Sequence, residues 1–419
     1  MGRAFEQEAQ LQVQALCGHG TLGALLGGLL GGTLLLCWLR PAVRARLPRY
    51  VDAELRHVTT RAQLDACITR GRAGCQPLLP RGWTGDRRTG GVGIVRVLQF
   101  NTLARGLSAG PLAPTPFRPT LKSDFGGFDE VEAPEAVLDW GTRRWSVLAE
   151  ILRQEPDLIS LQEVDHFADF FQPALVAAGY DSLFQPVSAP GPGERYGYYT
   201  DGVALAWRRD RFAIARVNAA RSAAAGRASL VLTLAPHLKG SRPIVLAGVH
   251  LAAKAGQVKE DLRAAQLGAL LVDIERARAA AGRAKSPVVI VAGDFNSDPH
   301  DVVAKEKSAG GGLTEGHVAK TVPKLLAYGL RSAYALAEAK AGFGAGSTAW
   351  TTWKRRQLKT SKHQIDYICC SGARVLETLM PPTDADVGGK GLPSARYPSD
   401  HLAIAADLEV EADEAPGGL

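Results

Sequence analysis

Five short apolar runs, each meeting polar residues at its end, set the tightest limit on how this chain folds. Val95–Phe100 ends in Asn101, and Leu158–Leu161 runs into Gln162 and Glu163. Pro243–Val249 runs into His250, and Pro287–Gly293 into Asp294, Phe295 and Asn296. The fifth, Gln364–Ile368, carries Asp366; Ser399, Asp400 and His401 follow it, and then another apolar run. Short, largely apolar runs of this kind read as strands buried on both faces. A carboxylate, amide or imidazole at the end of such a strand suits a core poorly. It is well placed to converge with others at one rim of a sheet.

Between these runs the period changes. Trp140–Arg153 carries Trp145, Leu148, Ile151 and Leu152 at helical spacing, and Gln257–Arg278 puts Leu267, Leu270, Leu271 and Ile274 on one face. Val203–Trp207 and Ser229–Leu234 read as strands separated by a turn region. The result is a mixed α/β catalytic domain over residues 93–412, with many strands followed by loops instead of a strict crossover helix. Ala189–Gly197, Ser308–Gly316 and Gly342–Ser347, rich in Gly or Pro, read as mobile loops. The chain has 419 residues, 46% hydrophobic and 22% charged, which suits one large domain or two small ones.

The N-terminal part differs. Thr21–Leu39 is uncharged, rich in Leu and Gly, and long enough to cross a bilayer. Gly23, Gly27 and Gly31 recur at the four-residue spacing that allows close helix contact in lipid. Arg40, Arg44, Arg46 and Arg49 follow, and a positive C-terminal flank keeps the next domain cytosolic. The expectation is an N-terminal hydrophobic helix over 21–39, within a segment 1–50, that anchors the protein to a membrane with its catalytic domain in the cytosol. A cleaved signal peptide and a transit peptide for an organelle (mitochondrion or chloroplast) are the competing readings. Residues 51–92 read as a linker and 413–419 as a tail. Residues 1–90 hold 12 Arg, no Lys and 6 acidic residues, a balance of +6 out of the chain's +7. The overall basicity therefore says little about what the main domain binds. Among six cysteines, Cys369 and Cys370 are adjacent in an expected strand and so face opposite sides, and the spacings suggest neither a disulfide framework nor a zinc site.

The polar rim has the composition that phosphate-ester hydrolysis needs. A divalent cation offsets the repulsion between nucleophile and phosphate and stabilises developing charge. Magnesium prefers oxygen ligands and often uses only one or two carboxylates. Glu163, with Asn101 and Asp400, supplies the candidate metal ligands. Asp294 is placed to orient or deprotonate an attacking water, and Asn296 to hold it. His401 suits phosphate contact and proton transfer, with Asp366 fixing its tautomer, and His250 suits donation to a non-bridging oxygen. Taken singly, each has a plainer reading as a turn, cap or structural residue. Independent turn residues need not arrive in the order Asn, Gln-Glu, His, Asp-x-Asn, Asp, Asp-His.

That order resembles the endonuclease/exonuclease/phosphatase superfamily, and most of all its nocturnin-like branch, from about Val95 to Val410. The matching stretches are Val97–Ala104, Pro156–His166, Phe171–Pro173, Asp201–Ala204, Gly293–Asn296, Thr351–Lys354, Ile365–Ile368 and Leu392–His401. The resemblance implies a four-layer α/β/β/α sandwich of two central mixed sheets with a Mg²⁺ site at the rim, Mn²⁺ being a substitute. It implies removal of the 2′-phosphate of NADP⁺ or NADPH. The alternatives are a poly(A)-specific 3′-exoribonuclease (deadenylase) acting on the 3′ end of mRNA, and a non-catalytic scaffold that binds RNA or protein. Arg356 stands where the family places a phosphate-binding Arg. The family's Lys-x-Arg pair after His-Leu is altered, since His250–Gly256 keeps one cation, Lys254, under either alignment. Asp201 completes the implied substrate-binding set.

Overall fold

The computed structural model describes residues 51–85, 91, 93–108, 125–187, 201–218, 229–281, 286–298, 318–341, 350–356 and 359–410. The apolar runs form the centres of two six-stranded sheets. One runs β13 (Arg374–Thr378), β14 (Ile404–Glu409), β1 (Ile94–Asn101), β2 (Leu158–Gln162), β4 (Gly202–Arg208), β3 (Tyr180–Pro186). The other runs β5 (Phe212–Asn218), β6 (Ser229–Pro236), β7 (Ile244–His250), β8 (Val288–Asp294), β12 (Asp366–Ser371), β9 (Arg331–Ser332). A separate hairpin pairs β10 (Thr352–Arg356) with β11 (Lys359–His363). Each sheet is antiparallel except at its centre, where β1 pairs with β2 and β7 with β8 in parallel. Parallel neighbours need a crossover long enough to return the chain to the same end. Helices supply it here.

Those helices form the outer layers. α1 (Arg61–Gly71), α2 (Trp140–Leu152) and α3 (Gln172–Ala177) cover the first sheet; α4 (Gln257–Ala280) and α5 (Thr321–Ala327) cover the second. α2 starts where Asp139 accepts a hydrogen bond from the Thr142 amide at 2.9 Å, an N-cap that satisfies one orphan donor. Strand alternation then divides the side chains. On β1, Leu98 and Phe100 face the helices, while Val95 and Val97 face the other sheet. On β8, Val289 and Val291 face α4, while Val288, Ile290 and Ala292 face inward. Cys369 and Cys370 split in the same way between the outer and inner cores. Three apolar cores thus separate four layers of an α/β/β/α sandwich.

The structure also departs from the sequence reading. Residues 51–85 are not a linker. Leu55, Leu64, Cys67 and Leu79 join the core under α2, and Thr60 and Gln63 start α1 with a capping box. Leu79 and Gly82 then pair through the backbone with Arg396 and Met380. The mixed Pro, Gly and Arg composition concealed this, because α1 has only two buried positions, Leu64 and Cys67. β5 was missed as well, since it is a bulged edge strand with few buried residues.

The membrane-anchored location is corrected too. Among the described residues no helix is long and apolar enough to cross a membrane. The longest, α4, carries Lys259, Glu260, Asp261, Arg263, Asp273, Glu275, Arg276 and Arg278 along its 24 residues. The segment 1–50 with its stretch 21–39, the tail 413–419 and the expected loops 189–197, 308–316 and 342–347 lie outside the described residues.

Candidate active site

The inward faces of the central strands are apolar through most of their length and turn polar at one end. On β1, Val95 and Val97 give way to Gln99 and Asn101; on β2, Leu158 gives way to Ser160 and Gln162. On β7 the last inward residue is His250, on β8 Asp294, and on β12 the first is Asp366. Register lines up three of them. His250 is opposite Asp294 across β7 and β8, and Asp294 is opposite Asp366 across β8 and β12. The site is therefore the polar mouth of the core between the sheets, and β1 and β2 face that row.

Asp294 is at the centre. Its Oδ2 accepts from Asn101 Nδ2 at 3.0 Å, and its Oδ1 from the Asn296 amide at 2.9 Å. Nε2 of His250 and Nε2 of His401 lie 3.6 and 3.9 Å from the same Oδ2. Burial, reinforced by Asp366, raises the Asp294 carboxyl to about 7. His401 Nδ1 is 2.8 Å from Asp366 Oδ2. Burial alone would lower the imidazole, but Asp366, Asp400 and Asp294 outweigh it and raise His401 to about 9. Asp366 Oδ1 accepts from Gln99 Nε2 at 2.8 Å, and its backbone amide donates to Thr351 Oγ1 at 3.0 Å.

Asp400 and Glu163 both act electrostatically on Lys354 and on Arg143. Burial would raise the Asp400 carboxyl, yet Lys354, His401 and Arg356 together hold it well below the usual carboxylate range. Lys354 Nζ donates to Asp400 Oδ2 at 3.0 Å. Glu163 is half-buried, has a left-handed backbone (φ 55°), and accepts from the Ala104 amide at 3.2 Å. Asn296 is left-handed too (φ 50°), and its Nδ2 donates to the Leu251 carbonyl at 3.1 Å. Such conformations are uncommon for side-chain-bearing residues and concentrate at functional sites.

The remaining three residues are peripheral. Arg356 stacks on the Phe128 ring at 4.5 Å and donates to the Gly126 carbonyl, close enough to act on Asp400 electrostatically. Lys254 is exposed on the turn after His250. Asp201 precedes Gly202, which exchanges two backbone hydrogen bonds with Val164, next to Glu163.

Arg143 was overlooked by the sequence reading. Its buried guanidinium donates to the carbonyls of Thr102 (2.9 Å), Leu103 (2.8 Å) and Pro398 (3.1 Å). It thereby joins the segment after Asn101 to the segment before Asp400. Burial lowers it to about 10, against the opposing pull of Asp165, Asp400 and Glu163. A signal existed: Arg143 shares the buried stripe of α2 with Trp140, Val147 and Glu150, where a charge needs partners. Gln99 carried a similar signal as a buried polar residue within a largely apolar strand.

Carboxylate oxygens of Asp294 and Asp366 and a ring nitrogen of His401 lie within 4.8 Å of one another. Asp366 has both oxygens committed, to Gln99 and His401, which argues against a ligand role for it. Asn101, Glu163 and Asp400 offer oxygen donors, one of them strongly held as a carboxylate, and that chemistry suits a hard divalent cation.

A model of the endonuclease/exonuclease/phosphatase family matches residues 98–248 and 263–401. The chain belongs to that family. It is 33% identical over 328 residues to nocturnin of Xenopus laevis, covering 76% of this chain and 74% of that protein. Nocturnin of Homo sapiens is 33% identical over 320 residues, covering 75% of this chain and 65% of the human protein, just under two thirds of its length. The solved structure of the human nocturnin catalytic domain with bound sulfate superposes with a TM-score of 0.55 at 27% identity, covering 78% of this chain and 96% of that one. As a member of the endonuclease/exonuclease/phosphatase family, the chain is a phosphoester hydrolase.

Proposed function

We propose that this chain is a Mg²⁺-dependent hydrolase, able to use Mn²⁺, that removes the 2′-phosphate of NADP⁺ and NADPH. The observation that carries this is that Lys354 and Arg356, alternate residues of β10, both act on Asp400 at the polar mouth, Lys354 by a direct ion pair and Arg356 electrostatically. Alternate residues of a strand share a face. Two cations beside the proposed metal carboxylate would hold a second phosphate near the one being cleaved, as a compact, highly anionic dinucleotide requires.

Asn101, Glu163 and Asp400 would hold the cation. When bound, it supplies charge neutralisation at the phosphate. The other roles belong to side chains. Asp294 is poised near neutrality to take a proton from an attacking water, and Asn296 keeps its carboxylate oriented through the backbone amide. His401, with Nδ1 fixed by Asp366, directs Nε2 toward Asp294, where a phosphate oxygen would accept its proton. His250, whose Nε2 lies 3.6 Å from Asp294 Oδ2, would donate to a non-bridging oxygen. Lys254 and Asp201 would contact the remainder of the substrate.

The test incubates the full chain with Mg²⁺ and either NADPH or a short oligoadenylate. Phosphate release from NADPH without shortening of the oligoadenylate supports the proposal. Shortening without phosphate release replaces it with the 3′-exoribonuclease reading. Inertness toward both, with no Mg²⁺ binding, leaves a scaffold that binds RNA or protein.

A further inference from the structure

The turn after β7 carries a further unusual backbone conformation. Lys254 sits at φ 82°, in the left-handed region that disfavours a Cβ. It is exposed, and no hydrogen bond or ion pair joins its ammonium to the described residues. Strain at a residue with no packing role needs a structure that imposes it and a reason to keep it.

The structure that imposes it is a buried ion pair on α4. Arg263 Nη1 donates to two carbonyls of the turn, Ala252 at 3.0 Å and Lys254 at 2.8 Å. Arg263 Nε donates to Glu260 Oε2 at 2.8 Å, and both side chains are buried. Glu260 Oε1 accepts from the amides of Lys320 and Thr321, each at 2.7 Å, and from Ser297 Oγ at 3.3 Å. One turn farther along α4, Gln266 Oε1 accepts from the Ala252 amide at 2.9 Å. The pair thus fixes both the turn after His250 and the residue after Asn296. A buried ion pair persists only where its remaining hydrogen-bonding groups are satisfied, and here the Ala252 and Lys254 carbonyls, the Lys320 and Thr321 amides and the Ser297 hydroxyl satisfy them.

We propose that Glu260 and Arg263 are positioning residues that hold Lys254 in its strained backbone conformation so that its ammonium meets the anionic part of the substrate. The substrate half of this rests on the function proposed above. The pair touches no reacting atom. It acts through the 252–254 backbone, and it compensates for a turn that retains one cation where the family pattern has two.

The test uses the full chain and whichever of NADPH and oligoadenylate the wild type turns over. Lys254→Gly can adopt φ 82° freely, so it should melt no earlier than wild type. Its KM should nonetheless rise about tenfold while kcat stays within about twofold, the loss expected for one charge-assisted contact. A merely structural lysine would leave KM unchanged, and that result overturns the proposal. Arg263→Met should raise KM similarly and speed amide hydrogen exchange at residues 252–254 by about tenfold or more. The double variant Glu260→Gln/Arg263→Met leaves no unpaired buried charge and should show the same exchange if the single variant folds poorly. In the Lys254→Gly background, Arg263→Met should add no further rise in KM; an additive rise means that Arg263 does not act through Lys254. If the wild type turns over neither substrate, the proposed function fails. Hydrogen exchange then decides the positioning role alone, and unchanged exchange in the Arg263 variants overturns it.

Discussion

The imidazole of His401 and the carboxylate of Asp366 meet at 2.8 Å in a buried contact between two segments 35 residues apart in the chain. Asp366 is in turn held by Gln99 on the opposite sheet. The contact therefore links the two sheets as well as setting the orientation of the ring.

That link makes stability depend on pH. His401 is raised to about 9 in the folded chain, above its ordinary value near 6.5. Its contribution is fully present below about pH 6.5 and is lost as pH rises through about 9. Urea unfolding of the metal-free full chain should show a loss of roughly 1–3 kcal/mol across that window. Asp366→Asn should flatten the dependence and lower kcat by about 10²–10⁴-fold. An identical pH profile in the variant would show that Asp366 does not hold the proton on His401.

Glu163→Ala should abolish activity by weakening divalent-cation binding while the fold persists, because the residue is half-buried and its only side-chain hydrogen bond among the described residues is from the Ala104 amide. Calorimetric titration with Mg²⁺ should show the lost affinity directly. Unchanged turnover would remove Glu163 from the site.

Arg143 joins three backbone carbonyls around the proposed metal ligands. Arg143→Met leaves them buried without a donor, so a loss of about 3 kcal/mol or more is expected in urea unfolding. Mg²⁺ affinity should fall with it. A variant with normal cation affinity would show that Asn101 and Asp400 are placed independently of this guanidinium.

Arg356 faces Asp400 from a stack on Phe128. Arg356→Ala should raise KM for NADPH more than KM for a small phosphoester, by about tenfold in the ratio. Equal effects on both substrates would exclude a dedicated contact with a second phosphate.

Leu64→Ala tests the packing of residues 51–85. Leu64 is fully buried in the core under α2, so the truncation should cost about 2–5 kcal/mol. A linker residue would cost nearly nothing, and thermal unfolding distinguishes the two.

Much of the site was legible because strands alternate with period two and sheets pair in register. Asn101, Glu163, His250, Asp294 and Asp366 stand at ends of runs whose apolarity already marked them as buried, and His250, Asp294 and Asp366 fall into one row once β7, β8 and β12 pair. Asp400 and His401 were legible from the same logic, just ahead of β14. The polar character of Gln99 was equally visible, but its partners on two other strands were not.

The sequence by itself determined that apolar strands would bring carboxylates, amides and imidazoles to one rim, since local periodicity and strand-end chemistry depend only on neighbouring residues. Tertiary structure alone decided which charges brace that rim. Arg143, Glu260 and Arg263 lie on helices, and the carbonyls and amides they bind belong to turns brought close only when helix and sheet pack. A backbone group looks alike at every position in a sequence, so the partner of a buried charge becomes visible only when the chain has folded around it.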